Sequence, residues 1–242
     1  MRFGSRNPVF GRIEKANYFE NTNEVATYKG ITKKTLYFLG MVLLGTMISI
    51  LLVISESSAL LPIMVVSGIG TFIFGIVALV SPKNSKVFGT LYCVSEGILV
   101  GLISLVYALA YNGIITAALL SVFTIFLVVV TLYLTGIVRV TNKFINFLFI
   151  FSIAYILSML VIWIFFAISG NTFSVGTMAL ISGITVFIAT LYLFFDLEQI
   201  RRVVEGGYPK QMEWYAAFGL AYTLVWLYIE VLRLISIFMD RD

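Results

Sequence analysis

Seven apolar stretches of about twenty residues fix what this chain can become: Thr35–Ile54, Leu60–Val80, Val87–Ala110, Ile114–Val138, Phe144–Ile168, Val175–Phe195 and Trp214–Met239. At 1.5 Å per residue each can cross a hydrocarbon core of roughly 30 Å as a helix. Inside a bilayer only helices and closed barrels satisfy every backbone polar group, and uninterrupted apolar runs lack the alternation of a barrel strand. The expectation is an all-α, polytopic seven-helix bundle over residues 35–239. A polar segment, 1–34, precedes it and a short tail, 240–242, follows. The 242 residues are 60% hydrophobic and only 12% charged, whereas soluble domains carry about 25% charged residues. Little chain remains for a separate soluble module. The first 34 residues show no short apolar core with a cleavage site, so no removable signal peptide is expected.

The breaks between stretches carry turn chemistry. Ser81-Pro82-Lys83-Asn84, Asn112-Gly113, Ser169-Gly170-Asn171 and Gly206-Gly207-Tyr208-Pro209 would remove helix hydrogen bonds or require a positive φ. Of sixteen Lys and Arg residues, fourteen fall in alternate connections: seven before the first span (Arg2, Arg6, Arg12, Lys15, Lys29, Lys33, Lys34), then Lys83, Lys86, Arg139, Lys143, Arg201, Arg202 and Lys210. The positive-inside rule then expects a cytoplasmic N-terminus and an exterior C-terminus in a cell inner or plasma membrane. These basic residues read as topology signals, not as ligands. They form no basic face outside the loops, so nucleic acid is not an expected partner.

Several familiar chemistries have no residues to run on. With no His and a single Cys93, an imidazole or thiolate metal cage, a Ser-His-Asp triad and an intramolecular disulfide are all excluded. No GxxxxGK[ST] phosphate loop occurs, and the last span has no Lys for a Schiff base. The chain is expected to be neither an enzyme nor a cofactor carrier.

What remains is carboxylates in greasy surroundings, each a functional-site candidate because a charge in hydrocarbon is unfavourable by several kcal/mol. Glu96 lies about 13 Å past Val87, near the midplane of the third span. It adjoins a Gly97/Gly101 pair of the kind that lets two helices approach closely. Asp196 closes the sixth apolar run, yet Leu197, Ile200, Val203 and Val204 continue at helical spacing. It therefore sits at the membrane border, about a turn and a half from Arg201 and Arg202, which are expected to contact it. Glu230 lies about 24 Å along the last span with Arg233 at i+3. Glu213, Thr223 and Glu230 form a polar stripe along that helix.

The segments Thr190-Leu-Tyr-Leu-Phe-Phe-Asp196-Leu-Glu-Gln-Ile200, Met212-Glu-Trp-Tyr-Ala-Ala-Phe-Gly-Leu220 and Leu224-Val-Trp-Leu-Tyr-Ile-Glu230-Val-Leu-Arg233 resemble the C-terminal signature of the Bax inhibitor-1 family. Asn7-Pro8-Val9-Phe10 is similar to the start of its bacterial YccA-like branch, and Ser95-Glu96-Gly97 fits the family pattern on the third span. The resemblance implies a bundle with the seventh helix central. It also implies a pH-sensitive calcium leak gated by two aspartates on the sixth and seventh helices. Asp196 matches the first, whereas Thr223 stands at the place of the second.

Two functions follow as expectations. In the first, the chain is a passive cation leak, for calcium before other cations, gated by protonation at Asp196 with Thr223 and Glu230 as partners. Glu96, Glu213, Arg233, Arg201 and Arg202 would form the polar network, and Asp196 and Glu230 would offer calcium its hard oxygen ligands. In the second, the chain conducts nothing and regulates a membrane protease, chaperone or transporter through its N-terminal segment and lateral helix faces.

Overall fold

Every apolar stretch forms a helix in the structure, a computed structural model that describes residues 24–56, 58–169 and 174–240. The helices are α1 (Tyr28–Ile54), α2 (Leu60–Val80), α3 (Ser85–Ala110), α4 (Ile114–Leu134), α5 (Asn142–Ser169), α6 (Val175–Glu205) and α7 (Met212–Met239), with a 3-10 turn over Pro82–Asn84. All seven spans are long and apolar enough to cross a membrane. The Asn7-Pro8-Val9-Phe10 motif, Arg2, Arg6, Arg12, Lys15, the Gly170-Asn171 turn and the last two residues lie outside the described residues.

Two boundaries differ clearly from those expected, and a third extends as the spacing expects. The first helix starts at Tyr28 instead of Thr35, because Thr27 caps it: the Thr27 hydroxyl accepts from Gly30 N at 3.0 Å. Lys29, Lys33 and Lys34 hide this first turn from a hydropathy reading while remaining good helix formers. The fourth helix stops at Leu134 instead of Val138, because Gly136 takes φ 72° and closes the turn. Gly136 N donates to Tyr133 O at 3.1 Å and Val138 N to Leu132 O at 3.2 Å. The sixth helix runs past Asp196 to Glu205, as the spacing of Leu197, Ile200 and Val203 requires.

More than half of the apolar window of α7 is buried, against almost none of α5. The last helix packs on α1, α2, α3, α4 and α6, whereas α5 touches only α6 among the helices. Five helices thus surround α7, and α5 stands outside this ring. Small residues set the tightest seam. A methyl group added at Gly97 would strike the backbone of Val42, and one at Gly45 the Val94 carbonyl, so α1 and α3 meet backbone to backbone. Thr46 Oγ1 donates across the seam to Gly97 O at 3.1 Å. With lipid outside, such packing and hydrogen bonding hold helices together in place of a hydrophobic drive.

At the end carrying the basic loops, the chain before α1 straps the α6–α7 connection. Ala26 N donates to Tyr208 O at 2.8 Å, Lys210 N to Glu24 O at 3.0 Å, and Lys210 Nζ pairs with Glu24 at 2.6 Å. That hydrogen bond to Glu24 holds the Lys210 ammonium above its ordinary pKa. Part of the polar N-terminal segment is therefore docked: residues 24–27 lie against this turn and 28–34 belong to α1.

Candidate functional site

Asp196 is where the bundle interior departs most from an apolar core. It sits on α6 about 14 Å inside Glu205 along the helix axis, and it is 7% exposed. The Thr223 hydroxyl of α7 lies beside its carboxyl, although the two close no hydrogen bond of normal geometry. The other oxygen, Oδ2, is buried with no partner. Gly219, one turn before Thr223, makes the room, since a Cβ there would lie 3.5 Å from Asp196 Oδ1. Among the described residues no basic side chain pairs with Asp196. A carboxyl so placed must be protonated, hydrated or bound to a cation, because an isolated buried charge is too unfavourable to persist.

The carboxyl opens on a cavity of about 590 Å³ between α5, α6 and α7. Tyr155, Tyr192, Gln199, Tyr215, Tyr222 and Thr223 bring polar groups to an otherwise apolar wall. The cavity exists because α5 leans on α6 alone and leaves the facing side of α7 uncovered. Tyr155 OH bonds Thr185 Oγ1 at 2.6 Å and Ile181 O at 3.2 Å, which fixes α5 to α6 beside it.

Of the residues singled out in the sequence, only Asp196 and Thr223 meet here. Glu230 is absent from the cavity wall: its carboxylate is buried against α7 and forms an ion pair with Arg233 of the same helix. Seven residues separate it from Thr223, about 10 Å along the axis. Arg233 instead borders a different cavity, with Tyr107, Trp163 and Met178.

Glu96 is half-buried on α3, facing Thr71 of α2 and lying near Tyr92 and Tyr222. The Thr71 hydroxyl closes no hydrogen bond of normal geometry. Glu96 does not line the Asp196 cavity, although Tyr222 borders both. The three intramembrane acids therefore occupy three separate places.

Glu213 belongs to another structure altogether. It is 1% exposed, pairs with Lys34 Nζ of α1, and accepts from Thr27 N at 2.8 Å and Thr27 Oγ1 at 3.1 Å. Lys34 and Lys86 both lie over the Trp214 ring, 5.0 and 5.2 Å from its centroid. This clamp joins the start of α1 to the start of α7, and Glu213 is no part of a stripe leading to Thr223.

Arg201 and Arg202 do not turn to Asp196 as the spacing suggested. Their guanidinium groups take Glu198, at 2.9 and 3.0 Å from Arg201 and 2.7 Å from Arg202. Tyr133 OH of α4 donates to the same carboxylate at 2.8 Å. Glu198 was passed over in the sequence, although its i+3 and i+4 spacing to two arginines signals an ion network. No three His, Cys, Asp or Glu side chains converge among the described residues. A calcium ion beside Asp196 would thus find one carboxylate, with Thr223, Gln199, tyrosine hydroxyls and water completing its shell.

Fold and site together define a polytopic helical membrane protein with, among the described residues, one buried carboxyl oxygen that lacks a partner, at the edge of a cavity. A sequence profile described as Bax inhibitor 1 like matches residues 7–240, and the chain belongs to that family. Among curated proteins no match was found.

Proposed function

We propose that the protein is a passive, pH-sensitive cation leak in which Asp196 is the titrating group and Thr223 its partner on α7, with calcium as the leading candidate ion. The observation that carries this reading is the buried Asp196 Oδ2, unpartnered at the edge of a cavity of about 590 Å³. A purely structural acid would be paired, as Glu198, Glu213 and Glu230 are. An ionised Asp196 attracts a cation and its water into the cavity, and protonation removes that attraction. Thr223 can serve Asp196 in either state, since a hydroxyl can donate to a carboxylate or accept from a carboxylic acid. Glu230 and Glu96 lie outside this unit, so the reading rests on Asp196 and Thr223 rather than on a ring of acids.

Calcium flux into dye-loaded liposomes across a pH series tests it. The wild type is expected to conduct with a sigmoidal pH dependence, Asp196→Asn to conduct at a level independent of pH, and Thr223→Val to shift the midpoint. Flux no greater than in empty liposomes overturns the leak and favours the non-conducting regulator. An unaltered pH response in Asp196→Asn removes Asp196 from the gate.

A further inference from the structure

We infer that the cavity beside Asp196 binds a lipophilic organic monocation, an amine carrying an aromatic or branched apolar group, which enters sideways from the bilayer and sets its ammonium on the Asp196 carboxyl. Among the described residues Asp196 is the only charged side chain on the cavity wall. The basic groups that follow it on α6, Arg201 and Arg202, are held by Glu198. An ionised Asp196 therefore gives the wall one negative charge and nothing to balance it. A carboxylate in such surroundings is unfavourable until a cation joins it. Its Oδ2 is buried without a partner. Rotation about the Cβ–Cγ bond turns either oxygen toward the cavity. Gln199, at i+3 on the same face of α6, adds an amide oxygen for a second N–H.

The rest of the wall selects the rest of the molecule. A volume of about 590 Å³ is room for a drug-sized organic ligand and far more than a metal ion needs. Phe149, Tyr192, Phe195 and Trp226 line it as one connected aromatic cluster, with neighbouring ring centroids 5.8 to 6.4 Å apart. Such rings hold an ammonium by cation–π attraction, Trp most strongly, and pack well against apolar groups. Two hydroxyls on the wall are engaged elsewhere: Tyr155 OH with Thr185 and Ile181, and Tyr215 OH with Leu79 O at 3.2 Å. They do not compete for the carboxyl. A route of entry is open, because α2 and α5 do not touch. Leu79 of α2 and Phe149 and Ile156 of α5, all on the cavity wall, are 41%, 38% and 63% exposed. The gap between these helices thus faces the hydrocarbon, where a lipophilic amine concentrates. The site rests on the same unpaired carboxyl as the proposed leak, but it requires no conduction.

Equilibrium binding of N,N-dimethyl-phenylbutylamine to the full chain in nanodiscs, corrected for partition into empty nanodiscs, tests it beside the uncharged analogue in which carbon replaces nitrogen. The wild type is expected to bind the amine saturably and at least about tenfold more tightly than the analogue, the ratio that a hydrogen bond to a charged group supplies. Asp196→Asn should erase this preference while still binding the analogue, which shows that the cavity is intact. Trp226→Leu should weaken amine binding by about threefold or more. Gly219→Val should lower binding of both molecules by filling the space beside Asp196. Glu230→Gln, which removes an acid outside the cavity, should leave the preference intact. Equal binding of the two molecules by the wild type, a preference that survives Asp196→Asn, or an equal loss in Glu230→Gln overturns the assignment. So does binding no greater than in empty nanodiscs. Amine binding without calcium flux upholds the site and overturns the leak, and flux without amine binding does the reverse.

Discussion

Replacing Lys34 with methionine is expected to destabilise the protein by about 3–5 kcal/mol, the loss typical of leaving one partner of a buried ion pair uncompensated. Glu213 is almost completely buried, and Lys34 is its one cationic partner among the described residues. The bonds from Thr27 N and Oγ1 persist, but two dipoles do not replace an ammonium group. Lys34 also leaves the face of Trp214. In detergent the midpoint of thermal unfolding should fall by on the order of 10 °C. The double variant Lys34→Met/Glu213→Met should recover much of that loss, since removing both charges also removes their desolvation penalty. If the single and double variants melt together, the clamp is not an energetic unit. If the single variant melts like the wild type, Glu213 is solvated and the burial argument is wrong.

This clamp also shows what the sequence could and could not convey. The seven spans were legible because bilayer thickness demands an apolar run of fixed length, and nothing else in the chain competes with that demand. The continuation of α6 past Asp196 was legible from Leu197, Ile200 and Val203, which keep helical spacing beyond the last long apolar run. Pairings between helices were not. Spacing placed Arg201 and Arg202 near Asp196, but Glu198 is closer on the helix surface and takes both. Glu213 looked like the first step of a stripe, yet its partner arrives from α1, 179 residues away in the chain. Glu230 and Arg233, at i+3, were readable as a local pair, and they form one. Of the candidate site, the sequence supplied Asp196 and Thr223. The cavity beside them depends on α5 standing away from α7, which no local pattern encodes.

Substituting alanine for Gly97 should rank with the most disruptive single-methyl changes in the bundle. The added Cβ meets the backbone of Val42, which cannot rotate away, so α1 and α3 must separate or Thr46 must give up its bond to the Gly97 carbonyl. Overpacking of this kind is unfavourable by about 1–3 kcal/mol. Gly101→Ala meets Ser49 Oγ, a side chain able to turn, together with Thr46 Cα at 3.0 Å, and should be milder. Gly68 has nothing within 4 Å of an added Cβ, so Gly68→Ala should be neutral or slightly stabilising. The expected order of thermal midpoints is Gly68→Ala at or above wild type, then Gly101→Ala, then Gly97→Ala. Combining Gly97→Ala with Gly45→Ala should be less than additive, because both open the same seam and the second methyl enters space already widened by the first. Since Glu96 precedes Gly97 and faces Thr71 of α2 from the next position on α3, a shift of that helix also moves an intramembrane acid. A Gly97→Ala protein as stable as the wild type would show that α1 and α3 do not pack backbone to backbone.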